Sequence, residues 1–322
     1  MMNPRIFLRP CLALAAILLV AAKMPGAQKD GREALSAEIA SARELIFQGS
    51  YDEAIKRFTD LSASRAESPA GDFYRAVALL WKSYVDSKLE VGGRDYDEAI
   101  NTAVASAVKK AEAIRARPNK SKDDEVEALY YLGSALAIRS RLNFHQNQVV
   151  PAARSARAAQ DHLNSLIKIA PDYSDAYFAL GGIYYRAGVL LDSPVARLAS
   201  SVLGSKALPA GDIERGIGYL KLASGKSRFA GVDARLALLE IYVPKGEHLD
   251  EALGLARELQ ARYPGNQTFA RYLMRIYLGL KDRANLTRSA RAVLARVKEG
   301  KPGFGQFMKA EADRFMLEAR KL

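Results

Sequence analysis

The sequence predicts an all-α chain built from about six stacked helical hairpins and closed by a C-terminal helix. Three observations carry that prediction. Alanine supplies 54 of the 322 residues and proline only 12, a mixture that favours helix because alanine loses no side-chain entropy there while proline breaks the ladder. Apolar residues recur every three or four places between glycine and proline joints, with no alternating strand pattern. The pentapeptide Tyr51-Asp52-Glu53-Ala54-Ile55 returns unchanged as Tyr96-Asp97-Glu98-Ala99-Ile100, and such self-similarity marks a repeat array.

The N-terminal segment reads as an address. Residues 1–27 have the form of a secretory signal peptide, with Arg5 and Arg9 as the basic start. Cys11 to Ala22 is an apolar run of 12 residues, too short for a bilayer span of about 20. Cleavage fits after Ala22 or after Ala27. Cys11 stands at the start of the apolar run, where a lipid anchor would need it at the end, so no stable membrane anchor is expected. Removal of the segment takes Arg5, Arg9 and Lys23 but no acid, and the formal charge falls from +12 to +9. The mature chain then has no cysteine, which excludes disulfide scaffolds and Cys-ligated metals and suits a periplasmic or secreted location.

The remainder, 28–322, reads as one repeat domain. Each pentapeptide copy follows glycine (Gly49, then Gly92-Gly93), and its acids favour the exposed N–H groups of a new helix. Ala54, Ile55, Phe58 and Leu61 continue the first copy; Ala99, Ile100, Ala103, Val104 and Val108 form the second pattern. The spacing predicts hairpins over 33–66 and 70–117. A third, 123–171, opens on Asp123-Asp124-Glu125, read as capping acids rather than metal ligands, and carries Leu132-Gly133. The fourth, 173–226, encloses an insert from Leu191 to Ala210 containing Pro194, Gly204 and Pro209. The fifth, 231–264, holds the degenerate copy Leu249-Asp250-Glu251-Ala252-Leu253, and the sixth covers 266–299. A last helix, 304–321, would cap the final apolar face.

Several of these positions resemble the tetratricopeptide repeat (TPR) family, whose unit of 34 residues pairs two antiparallel helices. Tyr177, Leu180, Gly181 and Tyr184 match the first-helix spacing. Gly49, Tyr51, Ala54 and Phe58 match the turn and second helix, and Ala252, Ala256, Leu259 and Pro264 match the second helix and closing proline. Ala252 to Leu286 is one 34-residue period, whereas Ala54 to Ala99 is 45, so the central repeats depart from the pattern. The resemblance implies a right-handed α-α superhelix (a TPR-like solenoid) whose first helices line a concave groove where partners dock.

Motifs that carry chemistry are absent from the sequence. No metalloprotease helix, nucleophile elbow, dinucleotide fingerprint or paired-cysteine motif occurs, and His145, His162 and His248 are isolated. Ser224-Gly225-Lys226-Ser227 ends like a phosphate loop, but Leu220 stands where its first glycine belongs. The sequence therefore predicts no enzyme, no metal and no cofactor. Cations alternate with acids along the chain, so nucleic acid is not an expected partner. Helix phase, read with the resemblance, directs Arg43, Tyr130, Phe178, Tyr185, Arg186, Arg271 and Arg275 toward the groove. Aromatic and arginine side chains are the usual interface anchors, although Tyr130 and Phe178 fit packing against neighbouring helices equally well. Two functions stay open. One is a scaffold for a protein or peptide partner; the other is a transporter-associated component holding a small ligand, suggested by Tyr173, Tyr177, Tyr184 and Tyr185.

Overall fold

The computed structural model describes residues 25–86, 96–190, 193–204 and 208–322. The expected export signal lies outside the described residues except for its last three, and so does Gly92-Gly93. The chain divides into two compact units between Glu38 and Ile39. Of the first, the described part is the opening stretch of one helix; the second, Ile39–Leu322, carries everything discussed below.

Among the described residues there are fourteen α-helices and no strand, so the chain is all-α. In order they are α1 (Pro25–Gln48), α2 (Tyr51–Ser64), α3 (Ala70–Asp86), α4 (Asp97–Arg115), α5 (Lys122–His145), α6 (Val149–Ile169) and α7 (Ala176–Leu190). There follow α8 (Pro194–Leu203), α9 (Ile213–Lys226), α10 (Gly231–Lys245), α11 (Leu249–Arg262), α12 (Gln267–Gly279), α13 (Arg283–Lys298) and α14 (Gln306–Lys321). Consecutive helices pack on one another from α2 to α7, α7 packs on α9, and the series resumes from α9 to α14. With α8 left aside, alternate helices from α3 onward also touch one another: α3 with α5, α5 with α7, α7 with α10, α10 with α12 and α12 with α14. The alternate helices therefore form a continuous layer. The insert within the fourth hairpin contains a helix of its own, α8, which lies on α6.

Local chemistry explains the helix ends. Ser121 and Asp124 form a reciprocal capping box at α5, and Asp123, Asp124 and Glu125 fill its first turn. Asp212 and Asp282 accept from the backbone N–H groups of Arg215 and Asn285 at the starts of α9 and α13. Gly49, at φ +90°, makes the turn between α1 and α2 that a side chain would resist.

The repeated pentapeptide does not sit the same way twice. In α2, Tyr51, Ala54, Phe58 and Leu61 are buried. In α4 the buried set is Ile100, Ala103, Val104, Ala107, Val108, Ala111 and Ile114, and Ala99 faces solvent. The expected place of Ala99 in the apolar pattern is thus corrected. The longer α4 takes its rotation from its many later apolar positions, which outweigh one alanine.

Two contacts shape the region of the site. A methyl group on Gly181 would stand 2.8 Å from the Gly216 carbonyl oxygen, and one on Gly216 would stand 2.5 Å from the Tyr185 nitrogen. Glycines therefore let the backbones of α7 and α9 meet. Farther along, α1 and α3 reach α10 and α12. The Arg43 guanidinium pairs with Asp233, whose other oxygen accepts from the Trp81 indole N–H at 2.9 Å. The Asn266 amide donates to the Phe47 carbonyl at 3.0 Å, and Glu44 accepts from Arg262 at 2.7 Å and from the Tyr263 hydroxyl at 3.1 Å.

Candidate ligand-binding site

A cavity of about 830 Å3 opens between α5, α6, α7, α8 and α10. Its size lies within the range of small-molecule sites, roughly 300–1,000 Å3. Alanines make much of the wall: Ala137 on α5, Ala152, Ala153 and Ala156 on α6, Ala187 on α7, Ala196 and Ala199 on α8, and Ala237 on α10. Val149, Ile183, Leu190, Leu208, Leu220 and Ile241 supply the larger apolar surfaces. Small side chains at these places are what leave the volume empty, since neighbouring helices with larger ones would fill it.

The insert completes the enclosure. After α8 the chain returns through Leu208 to Gly211, and the buried Gln160 amide holds it to α6 by a pair of hydrogen bonds. It donates to the Ala210 carbonyl at 2.9 Å and accepts from the Ala210 N–H at 2.7 Å. Arg157 donates to the Leu208 carbonyl at 3.3 Å. Gly211 then passes against Gly188, where an added methyl would stand 2.6 Å from the Gly188 nitrogen.

The wall also carries charge: Arg157 on α6, which pairs with Asp161 at 3.0 Å, Arg197 on α8, and three further groups. Arg141 from α5, Arg186 from α7 and Glu240 from α10 line it together with His145, while Tyr185 presents its ring. Arg186 is open to the cavity and ringed by protein, and neither an ion pair nor a hydrogen bond engages it among the described residues. Burial, and then the charge of Arg141, push its guanidinium down to about 10 against the opposite pull of Glu240. It remains a cation at neutral pH, with less counter-charge than its surroundings call for. Burial and Arg141 also hold the His145 imidazole below its ordinary value, which keeps it neutral at neutral pH.

Glu240 also borders a second, smaller space of about 100 Å3 with Trp81, Arg271, Tyr272 and Arg275. Burial, followed by Glu240, holds the Tyr272 phenol above its ordinary value, while the charges of Arg275, Arg271 and Arg141 act the other way. Arg271 is partly satisfied by Glu311 at 3.4 Å and lies over the Phe307 ring at 4.7 Å. The layer of alternate helices thus brings four arginines, from α5, α7 and α12, around Glu240.

The residues expected from the sequence fall into three groups. Tyr185 and Arg186 line the cavity, and Arg271 and Arg275 line the adjoining space. Phe178 is half-buried and belongs to neither lining. Arg43 and Tyr130 are each only 4% exposed. Arg43 is taken up by Asp233 and by the faces of Phe47 and Tyr74, both 5.2 Å away. Tyr130 packs among Phe73, Tyr131 and Tyr173. These two offer no surface to a partner.

Arg141, Glu240 and the alanine face of α6 are additions that the sequence reading did not make. Arg141 stands about three helical turns after Tyr130, so its signal was present. Among the described residues no group of three His, Cys, Asp or Glu side chains is placed to hold a metal ion, and no helix is long and apolar enough to cross a membrane. No protein-family model and no curated protein matches the chain.

Proposed function

We propose that the protein is an exported, non-enzymatic, TPR-like helical-repeat protein of the right-handed α-α superhelix class, and that it binds a small ligand in the cavity of its central repeats. The observation that carries this reading is the 830 Å3 alanine-lined space with an under-paired arginine on its wall. An apolar cavity with a few convergent polar groups is the usual form of a ligand site. The TPR-like spacing of Tyr177, Leu180, Gly181 and Tyr184 and the signal-like segment over 1–27 support the class and the location. A scaffold that docks a protein partner through the same layer of helices finds less support, because Arg43 and Tyr130 are spent on interior contacts.

Native mass spectrometry of the protein purified from a cell-envelope fraction tests the reading. A small molecule should travel with the intact chain and be lost on changing Tyr185 and Arg186 to alanine. A bare chain, together with no thermal shift across a broad panel of small molecules, would overturn it.

A further inference from the structure

We infer that the cavity takes an amphipathic monoanion, an apolar chain ending in a carboxylate, with the carboxylate on Arg186 and the chain along the alanine face of α6. This rests on the cavity being a ligand site, as proposed above, and adds the chemical class of the ligand.

The two halves of such a molecule answer two separate features. Ala152, Ala153 and Ala156 offer carbon surface and no side-chain donor or acceptor, so a sugar or nucleotide would lose its water there without replacement. An apolar chain loses nothing and is favoured by its own removal from water. At the other end, Arg186 meets no acid directly, and the charges that act on it are Arg141 and Glu240. Of the other charged side chains on the wall, Arg157 is paired with Asp161 at 3.0 Å and Arg197 is engaged by protein, so Arg141, Arg186 and Glu240 leave a single positive charge, which one carboxylate neutralises and a dianion exceeds. The guanidinium fork matches a carboxylate bidentately, the geometry in which charge-assisted hydrogen bonds are strongest. A neutral ligand would cover Arg186 without giving its guanidinium a counter-charge.

The test is calorimetric titration of the protein, freed of co-purified lipid, with dodecanoate, dodecanol, dodecyl phosphate and acetate. Dodecanoate should bind, acetate should not, and dodecanol should bind about tenfold more weakly, the ratio expected for losing a charge-assisted contact. Arg186→Gln should weaken dodecanoate about tenfold and change dodecanol by less than about twofold. Arg186→Lys, which keeps the charge without the fork, should fall between wild type and Arg186→Gln. Ala153→Trp, which fills the cavity and leaves Arg186 in place, should abolish both ligands.

Equal binding of dodecanol and dodecanoate, or dodecanoate binding untouched by Arg186→Gln, overturns the anion assignment and leaves the cavity reading standing. Tighter binding of dodecyl phosphate than of dodecanoate overturns the monoanion. Binding of acetate as strong as dodecanoate overturns the apolar half. No binding of any of the four, or full binding to Ala153→Trp, overturns the cavity reading as well.

Discussion

Two arginines expected on the inward face have opposite fates. Arg43, on α1, is closed off from water, paired with Asp233 and stacked on Phe47 and Tyr74. Although burial alone would lower it, the charge of Asp233 holds its guanidinium above the ordinary value. Arg186, on α7, is surrounded by protein but open to a cavity, with a like charge as its strongest neighbour, and is pushed down instead. One arginine has its counter-ion built into the fold; the other lacks one. The difference separates a charge that holds helices together from a charge left facing a cavity, and residue type alone does not reveal it.

Breaking the satisfied pair gives the largest expected effect. Asp233→Ala strands Arg43 in the interior and removes the acceptor of the Trp81 indole, so it should cost about 3–5 kcal/mol of stability. Replacing both partners by apolar residues, Arg43→Met with Asp233→Leu, should recover most of that loss, because no buried charge is left. Chemical denaturation of the single and double variants measures both. By contrast Arg186→Ala should leave the midpoint unchanged or slightly raised. If Asp233→Ala and Arg186→Ala destabilise equally, the two arginines are not different in kind.

A middle-sized effect comes from the contact that places Arg186. Gly216 lies against the Tyr185 backbone, and a methyl group there would stand 2.5 Å from the Tyr185 nitrogen. Backbone cannot rotate out of the way as a side chain can, so Gly216→Ala should force α7 and α9 apart. Overpacking of this kind costs about 1–3 kcal/mol, offset by the helix propensity of alanine over glycine, up to about 1 kcal/mol. The expected outcome is a modestly lower melting temperature with a disproportionate loss of dodecanoate binding, since Tyr185 and Arg186 move with α7. A lower melting temperature with unchanged binding would detach the cavity from this contact.

The all-α class was legible in the sequence because helix and joint are local matters. Gly49, the capping Ser121 with Asp124, and prolines such as Pro171 and Pro264 act within a few residues of where they stand. Phase was less legible. The identical pentapeptides put Ala54 in the core and Ala99 at the surface, because rotation is decided by the whole apolar face of each helix and not by five residues. The site was legible in part: the inward positions on α7 named Tyr185 and Arg186, and continuing from Tyr130 by three turns reaches Arg141. What local pattern does not contain is the acid that waits 190 residues away for Arg43. That partner decides which inward arginine is structural, and it enters only when α1 meets α10.

The smallest effect sharpens the comparison most, because it moves Arg186 without changing it. Gly182 precedes Arg186 by one turn, and a methyl group there would stand 2.9 Å from the guanidinium nitrogen Nη2 and 3.4 Å from Cζ. The obstacle is the free end of a flexible side chain, so Gly182→Ala should displace the guanidinium and leave α7 undisturbed. Stability should rise by up to about 1 kcal/mol from helix propensity, while dodecanoate affinity falls about threefold, a shift of roughly 0.6 kcal/mol. Gly218→Ala on α9 is the matched control, since a methyl there meets nothing within 4 Å. It should gain the same stability and keep full affinity. A fold that merely tolerates an unpaired arginine predicts no difference between the two alanines; a site that positions it predicts opposite signs for stability and binding at Gly182 alone.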